Sequence, residues 1–246
     1  MKKYEHIFKV LEQNILDGNY VTGDYLPTEL ELTQSYGVSR DTIRKALALL
    51  TMGGLIKKIH GSGSQVIKQE HINFPVSELT SYQELVKQQG LNSKTNVISI
   101  DKLIVDDKLA SLTGFNTNSL VWRIIRQRVV DGTTSVLDID YLNKSFVPDM
   151  TRKIAEKSIY SYLEDKLGLN IAYAQKEITI DQLTDRDKLL LDIGSEHHVV
   201  SVKSKVYLDN KQQFQFTESR HKLEKFCFVD FARRKTKERS SYGYSN

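Results

Sequence analysis

The apolar pattern of the first fifty residues predicts three short helices. The first helix has an inner stripe at helical spacing, formed by Ile7, Val10, Leu11 and Ile15. Thr28 followed by Glu31 forms a capping box, which indicates where the second helix begins. Gly37 permits the turn that ends this helix, and Ser39 suits the N-cap of the third.

The third predicted helix has two chemically different faces. Its inner stripe consists of Ile43, Ala46, Leu47 and Leu50. On an ideal wheel the opposite face carries Asp41, Arg44, Lys45 and Ala48, with Arg40 on the flank. An outward face with cations and few bulky apolar groups suits the DNA major groove, where arginine pairs with guanine or phosphate.

Two short strands are predicted after the third helix. They cover residues 55–59 and 65–67 and are joined by His60-Gly61-Ser62-Gly63-Ser64. Such a hairpin is typical of the wing of a winged helix-turn-helix, because its glycines let the backbone approach a phosphate or the minor groove. Short helices and a lysine-bearing strand edge also occur in proteins that bind no DNA, so the elements alone leave both interpretations open.

Charge changes the picture once it is counted by segment. The 246 residues carry a net charge of only +4, which is too small to indicate nucleic-acid binding. Between residues 39 and 68, six cations face one carboxylate, Asp41, which gives +5. These cations are Arg40, Arg44, Lys45, Lys57, Lys58 and Lys68. The positive charge is thus concentrated on the predicted third helix and wing, as phosphate binding requires.

Composition also excludes several classes of protein. A single cysteine, Cys227, rules out an intrachain disulfide and a cysteine-based zinc site. No apolar run approaches the ~18–20 residues that cross a bilayer. The first residues are not followed by the apolar stretch of a secretion signal. We therefore expect a cytoplasmic protein without a membrane segment, metal site or cofactor.

The rest of the chain predicts an antiparallel sheet with helices packed on it, which places the whole protein in the α+β class. One hairpin joins 121–130 to 135–142 through Asp131-Gly132, and another joins 199–208 to 213–223. A further strand is expected at 171–181. Short helices fit residues 82–89, 106–113, 149–156, 159–167 and 185–191.

These patterns divide the chain into four segments. We expect a DNA-binding domain over residues 1–67 and a linker over 68–77, which has no sustained period. An effector-binding and dimerisation domain is expected over 78–232. Residues 233–246 form a basic, polar tail.

Two arginines in the second domain suggest an anion site. Arg126 and Arg128 lie two apart on a predicted strand, so both point to one face. A guanidinium pair can hold a phosphate by several charge-assisted hydrogen bonds. Alternatively, the pair is exposed or is neutralised by Asp138 and Asp140, which share a face of the next strand. The residues alone leave both interpretations open.

Four motifs in residues 4–67 resemble the winged-helix signature of GntR-type bacterial repressors. They are Leu26-Pro27-Thr28-Glu29-x-Glu31-Leu32, Tyr36-Gly37-Val38-Ser39-Arg40-x-Thr42-x-Arg44-x-Ala46-Leu47, Gly54-Leu55-Ile56 and His60-Gly61-Ser62-Gly63. The resemblance implies that arginines at two helix positions contact bases and phosphate and that the wing reaches the minor groove. The implied DNA-contacting set is Thr28, Ser39, Arg40, Thr42, Arg44, Lys45, His60, Gly61 and Ser62. Leu30 departs from the family, which often has a basic residue there.

Residues 74–232 are similar to the UTRA effector domain of the HutC-like subgroup, whose fold resembles chorismate lyase. The matching pieces are Leu79-Thr80-Ser81-Tyr82, Arg126-x-Arg128, Asp138-x-Asp140-Tyr141-Leu142, Ser158-Ile159-Tyr160 and the final strand through Glu218. The resemblance implies a phosphorylated sugar as effector. Its implied binding set is Ser81, Tyr82, Arg126, Arg128, Asp138, Asp140, Ser158, Tyr160, Gln215 and His221.

Within that subgroup, residues 72–81 and 39–50 are most similar to trehalose operon repressors of low-GC Gram-positive bacteria. This implies a homodimer on a palindromic operator that is released by trehalose 6-phosphate. One alternative is a regulator of the same type that senses another sugar phosphate, such as an amino-sugar 6-phosphate. The other is a chorismate-lyase-like enzyme. Because the sequence has no nucleophile elbow, Walker loop or metal-spaced histidines, we expect no enzyme activity.

Overall fold

Three helices and a hairpin form the N-terminal unit of the computed structural model, which describes residues 2–67, 72–73 and 79–228. The helices are α1 (Lys3–Leu16), α2 (Glu29–Tyr36) and α3 (Arg40–Met52). Strands β1 (Ile56–Ile59) and β2 (Gly63–Val66) pair antiparallel to form the wing. The unit is the winged helix-turn-helix that the sequence predicts.

The sequence signals for the helices act as predicted. Thr28 Oγ1 accepts a hydrogen bond from the Glu31 amide, while the Glu31 carboxylate accepts one from the Thr28 amide. Gly37 ends α2 in the left-handed conformation, with φ of 59°. The inner stripe of α3 is completely or almost completely buried against the other helices and the wing; it consists of Ile43, Ala46, Leu47 and Leu50.

Within residues 79–228, the second unit is an antiparallel sheet of six strands with five α-helices. Its strands are β4 (Ser93–Ile104), β5 (Leu120–Val130), β6 (Thr133–Asn143), β7 (Ile171–Gln182), β8 (His198–Leu208) and β9 (Gln213–Lys222). They lie in the sheet in the order β4-β5-β6-β9-β8-β7. The helices are α4 (Tyr82–Gln88), α5 (Asp107–Thr113), α6 (Arg152–Glu156), α7 (Ile159–Asp165) and α8 (Asp185–Leu190). A 3₁₀ helix (Leu223–Lys225) follows β9.

Both faces of this sheet are covered, so each face has its own apolar core. Alternating residues of β5 divide between them: Ile124 packs with residues of α6 and α7, and Ile125 packs with residues of α5 and α8. The predicted β5–β6 turn has positive φ at both Asp131 and Gly132, as a two-residue hairpin requires.

Two parts of the second unit differ from the prediction. Strand β4 was not predicted: it lies at the edge of the sheet, and its alternation of buried and exposed positions is weak. The predicted linker contains a two-residue strand, β3 (Ile72–Asn73), which pairs in parallel with β10 (Phe226–Cys227). Residues 68–71, 74–78 and the predicted tail 233–246 lie outside the described residues. In the described part of the chain, no helix is long and apolar enough to cross a membrane.

Candidate functional site

The outer face of α3 and the tip of the wing leave the predicted DNA-contacting residues at the surface. Arg40, Arg44 and Lys45 are exposed on α3, and Thr42 is half-buried beside them. In the wing, the loop of His60, Gly61 and Ser62 is exposed, and Gly61 has φ of 78°. Thr28 and Ser39 are exposed as well, but both hydroxyl oxygens accept a backbone N–H as helix N-caps.

Glu29 is a member of this surface that the sequence analysis missed. Arg44 Nε donates to Glu29 Oε2 at 2.8 Å, and Lys58 Nζ lies 3.4 Å from Glu29 Oε1. The hydrogen bond from Arg44 holds the pKa of Glu29 below its ordinary value. Glu29 lies outside the segment whose charge was counted, so that count overstates the positive charge of the folded surface.

The register of the second domain's sheet brings charged and polar residues from three strands onto one face. On β5 and β6, Arg126 lies opposite Asp138. Asp138 in turn lies opposite Ser219 on β9, and Asp140 lies opposite Thr217. Because side chains alternate along each strand, this face collects residues that lie far apart in the sequence.

A cavity of about 170 Å³ lies over this face of the sheet. The segment that starts at Leu79 and the N-terminal part of α7 form its other walls. All of the predicted effector residues line it, namely Ser81, Tyr82, Arg126, Arg128, Asp138, Asp140, Ser158, Tyr160, Gln215 and His221. Other polar residues that were not predicted also line the cavity, among them Lys157, Lys176, Ser204, Thr217 and Ser219.

The two arginines are buried and paired with the two aspartates. Arg126 Nη2 lies 2.6 Å from Asp140 Oδ2, and Arg128 Nε lies 2.7 Å from Asp138 Oδ2. Asp138 Oδ2 is also 3.9 Å from Arg126 Nη2. Burial alone would raise the pKa of Asp138, but the two guanidinium groups hold it below its ordinary value. The pairing with carboxylates is therefore real, and it occurs inside the cavity.

Further hydrogen bonds fix the aspartates from the β9 side. Asp140 Oδ1 accepts from Gln215 Nε2 and from Thr217 Oγ1, at 2.9 and 2.7 Å. Asp138 Oδ1 accepts from Ser219 Oγ at 2.6 Å. The carboxylates thus have partners on both neighbouring strands.

A buried donor and a buried acceptor in the cavity wall have no hydrogen-bond partner among the described residues: they are Arg126 Nε and Gln215 Oε1. Buried polar groups in folded proteins almost always have partners. A donor and an acceptor left over in one cavity therefore suit a ligand that carries both kinds of group.

The walls above the sheet add hydroxyls and an aromatic ring. Ser81 and Ser158 cap α4 and α7 by accepting a backbone N–H, which leaves each hydroxyl hydrogen able to reach another acceptor. The Arg128 guanidinium lies 4.2 Å from the centre of the Tyr82 ring. Burial raises the pKa of Tyr160 and lowers that of His221 to about 4, so both are neutral near pH 7.

No group of three or more His, Cys, Asp or Glu side chains in 2–67, 72–73 and 79–228 could hold a metal ion. The chemistry that the cavity offers is the binding of an anion that also carries hydroxyl groups.

Comparison with known proteins gives two family matches. Residues 3–66 match the model of bacterial regulatory proteins of the gntR family, and residues 88–227 match the UTRA domain. The chain is 44% identical over 234 residues to the transcriptional regulator TreR of Bacillus subtilis strain 168, which covers 95% of this chain and 98% of TreR. It is 27% identical to MngR, the mannosyl-D-glycerate system repressor of Escherichia coli K12, over 95% of this chain and 97% of MngR.

Solved structures agree with these matches. The crystal structure of the possible transcriptional regulator YydK of Bacillus subtilis aligns with 95% of this chain over 100% of the YydK chain, with a TM-score of 0.59 and 27% identity. The structure of the effector binding domain of the Bacillus subtilis trehalose repressor TreR aligns with 58% of this chain over 99% of the TreR domain's chain, with a TM-score of 0.54 and 43% identity. The chain belongs to the gntR family of bacterial regulatory proteins and carries a UTRA domain, so it is a DNA-binding transcriptional regulator of the HutC type and not an enzyme.

Proposed function

We propose that this regulator is a homodimeric repressor of a trehalose-utilisation operon and that trehalose 6-phosphate releases it from a palindromic operator. In this proposal residues 1–67 bind DNA, and residues 78–232 bind the effector and dimerise. The protein acts in the cytoplasm, where its operator lies. The observation that carries the proposal is the cavity in which buried Arg126 and Arg128 converge with serine hydroxyls and carboxylates.

The charges of the cavity suit a phosphate. Four cations line it, Arg126, Arg128, Lys157 and Lys176, against the two carboxylates of Asp138 and Asp140. The resulting net charge of +2 matches a phosphate monoester, which carries about −1.5 to −2 near pH 7. The hydroxyls of Ser81 and Ser158 add donors for phosphate oxygens.

The polar residues of β6 and β9 suit the sugar part of the effector. A carboxylate such as Asp138 accepts from sugar hydroxyls, and Gln215 Oε1 is an acceptor without a partner in the described chain. The 44% identity to TreR supports trehalose as the sugar. An amino-sugar 6-phosphate would make the same contacts through its phosphate group, so it is the alternative effector.

Effector binding changes DNA affinity only if the effector prefers one arrangement of the dimer. The cavity of about 170 Å³ is smaller than the ~300–1,000 Å³ of typical ligand sites. Binding of a disaccharide phosphate therefore displaces a wall, and the segment from Leu79 to Tyr82 is the wall that joins the linker. Movement of this segment changes the spacing of the two α3 helices in the dimer, which bind half-sites about one DNA turn apart.

Calorimetry with the full chain tests this proposal. Trehalose 6-phosphate should bind more tightly than glucose 6-phosphate, and trehalose should bind weakly or not at all. Arg126→Ala should abolish effector binding and keep operator binding. Arg123→Ala is the matched control, because Arg123 lies on the same strand, points to the other face and pairs with Asp101 at 2.9 Å. If no sugar phosphate binds the wild type, the proposed effector class is wrong.

A further inference from the structure

The place between the two arginines is already occupied by a carboxylate. Asp138 Oδ2 lies 2.7 Å from Arg128 Nε and 3.9 Å from Arg126 Nη2. An oxygen that two guanidinium groups face is where a phosphate oxygen would bind most strongly. In this structure the protein supplies its own anion at that position.

The two aspartates of the cavity are held differently. Asp140 is fixed by Arg126 and by two side chains of β9, Gln215 and Thr217. Asp138 bridges the arginines through one oxygen, and in the described part of the chain its other oxygen accepts a hydrogen bond from Ser219. Of the two, Asp138 is thus the carboxylate whose displacement opens the position between the arginines, while Asp140 keeps Arg126 in place.

We propose that Asp138 is an internal counterion that an arriving phosphate displaces from Arg128, and that sugar hydroxyls on the same molecule then receive the released carboxylate. This inference rests on the proposed effector class and adds how the site selects within it. The site responds to a phosphate and a polyol together, and to neither one alone.

The selection follows from the cost of leaving a buried charge without a partner. Inorganic phosphate can replace Asp138 at the arginines, but it brings few donors for the freed carboxylate, which stays buried. A neutral sugar brings donors, but it has no anion to break the ion pair. A sugar phosphate does both, since its phosphate takes the arginines and its hydroxyls donate to Asp138.

His221 also lines the cavity and contributes no charge that could take over this task. It is completely buried, and burial keeps it neutral at pH values well below 7. Lys157 lies exposed at the rim, and Lys176 on β7 is half-buried. These lysines attract an anion to the cavity, whereas the exchange itself takes place at the arginines.

The test compares Asp138→Asn with the matched variant Asp140→Asn in the full chain, with inorganic phosphate, trehalose and trehalose 6-phosphate as probes. Asparagine keeps the shape of aspartate and removes the charge. We expect Asp138→Asn to bind inorganic phosphate roughly tenfold to a hundredfold more tightly than the wild type, because no buried ion pair has to be broken. Its preference for trehalose 6-phosphate over phosphate should shrink accordingly. Equal gains in both variants, or no gain in Asp138→Asn, would overturn the proposal.

A measurement on the wild type keeps the proposal testable if a variant fails to fold. Trehalose at a high, non-saturating concentration should tighten the binding of inorganic phosphate, because the separate sugar donates to the displaced Asp138; by linkage, phosphate should tighten the weak binding of trehalose by the same factor. Independent binding of the two refutes the exchange. Failure of the proposed function looks different: trehalose 6-phosphate then does not bind the wild type, whereas the response of Asp138→Asn to inorganic phosphate still reports on the counterion.

Discussion

Replacement of Arg44 by alanine tests how the surface of α3 recognises DNA. In the free protein the Arg44 side chain is 63% exposed, and its Nε is bonded to Glu29. An exposed ion pair of this kind contributes ~0–1 kcal/mol to folding. We therefore expect Arg44→Ala to leave the unfolding midpoint almost unchanged, and its effect to fall on DNA binding.

The expected loss in binding is worked out from two contributions. A lost bidentate base contact costs about 1–3 kcal/mol, which corresponds to roughly 5-fold to 150-fold in operator Kd. Truncation also leaves Glu29 with Lys58 alone, at 3.4 Å, so its negative charge faces the phosphates with less compensation. This second contribution places the expected loss in the upper half of that range. The double variant Arg44→Ala with Glu29→Gln should remove the repulsion between Glu29 and the phosphates, but it should not restore the lost base contact.

Fluorescence anisotropy at several salt concentrations distinguishes a base contact from a phosphate contact. Because Glu29 holds Nε, the terminal Nη groups are the donors that can reach DNA, and they suit the paired acceptors of guanine. Arg44→Ala should therefore weaken operator binding more than binding to a scrambled duplex, with the salt slope unchanged. Equal weakening on both duplexes, with the slope reduced by about 1, would refute base recognition and indicate a phosphate contact. Lys45→Ala gives the comparison for a phosphate contact, since Lys45 is an exposed cation of the same helix, belongs to the predicted DNA-contacting set and pairs with Asp41.

Three further predictions concern stability and can be checked by urea unfolding. Arg220→Met leaves Asp187 buried without the two hydrogen bonds of 2.7 and 2.8 Å that Arg220 donates, and should cost about 3–5 kcal/mol; an unchanged midpoint would contradict this. His221 has a folded pKa of about 4, below its unfolded value of about 6.5. Its contribution to the free energy of unfolding is therefore complete above pH 6.5 and is lost as the pH falls towards 4, because the unfolded chain binds the proton first. His221→Gln should flatten the dependence of the unfolding free energy on pH over that interval. Thr28→Ala removes the cap of α2 and should cost about 1 kcal/mol, whereas Thr28→Ser should cost little.

Local patterns were sufficient to predict most elements of the fold. The inner stripe of α3 and the turn at Asp131-Gly132 were predicted because helix periodicity and turn chemistry depend on neighbouring residues alone. Strand β4 was missed, because a bulge between Val97 and Ser99 interrupts its alternation of buried and exposed residues. Glu29 was missed as a partner of Arg44 because the two are fifteen residues apart and meet only through the packing of α2 against α3.

The cavity over the sheet shows which contacts strand parity predicts and which depend on how the strands pair. Strand parity alone puts Arg126 and Arg128 on one face of β5 and Asp138 and Asp140 on one face of β6. Which arginine meets which aspartate depends on the pairing of the strands, and the bond from Ser219 to Asp138 spans 81 residues. The other predicted residues of the cavity, such as Ser158 and Gln215, came from motif resemblance, whereas Lys157, Lys176 and Ser219 belong to no motif and were found only from the structure.

An anion site and neutralisation of the arginines by aspartates are alternatives at the level of the sequence, but in the folded protein the two are compatible. Two guanidinium groups buried without an anion would cost several kcal/mol each, so an empty anion site inside a protein needs its own counterions. Asp138 and Asp140 meet this need, and both line the same cavity as the arginines that they neutralise. Carboxylates paired with buried arginines therefore do not count against anion binding when the pair faces a cavity. In the proposed exchange, they set the strength with which a ligand must compete for the arginines, and a ligand that can also donate to the displaced carboxylate competes best.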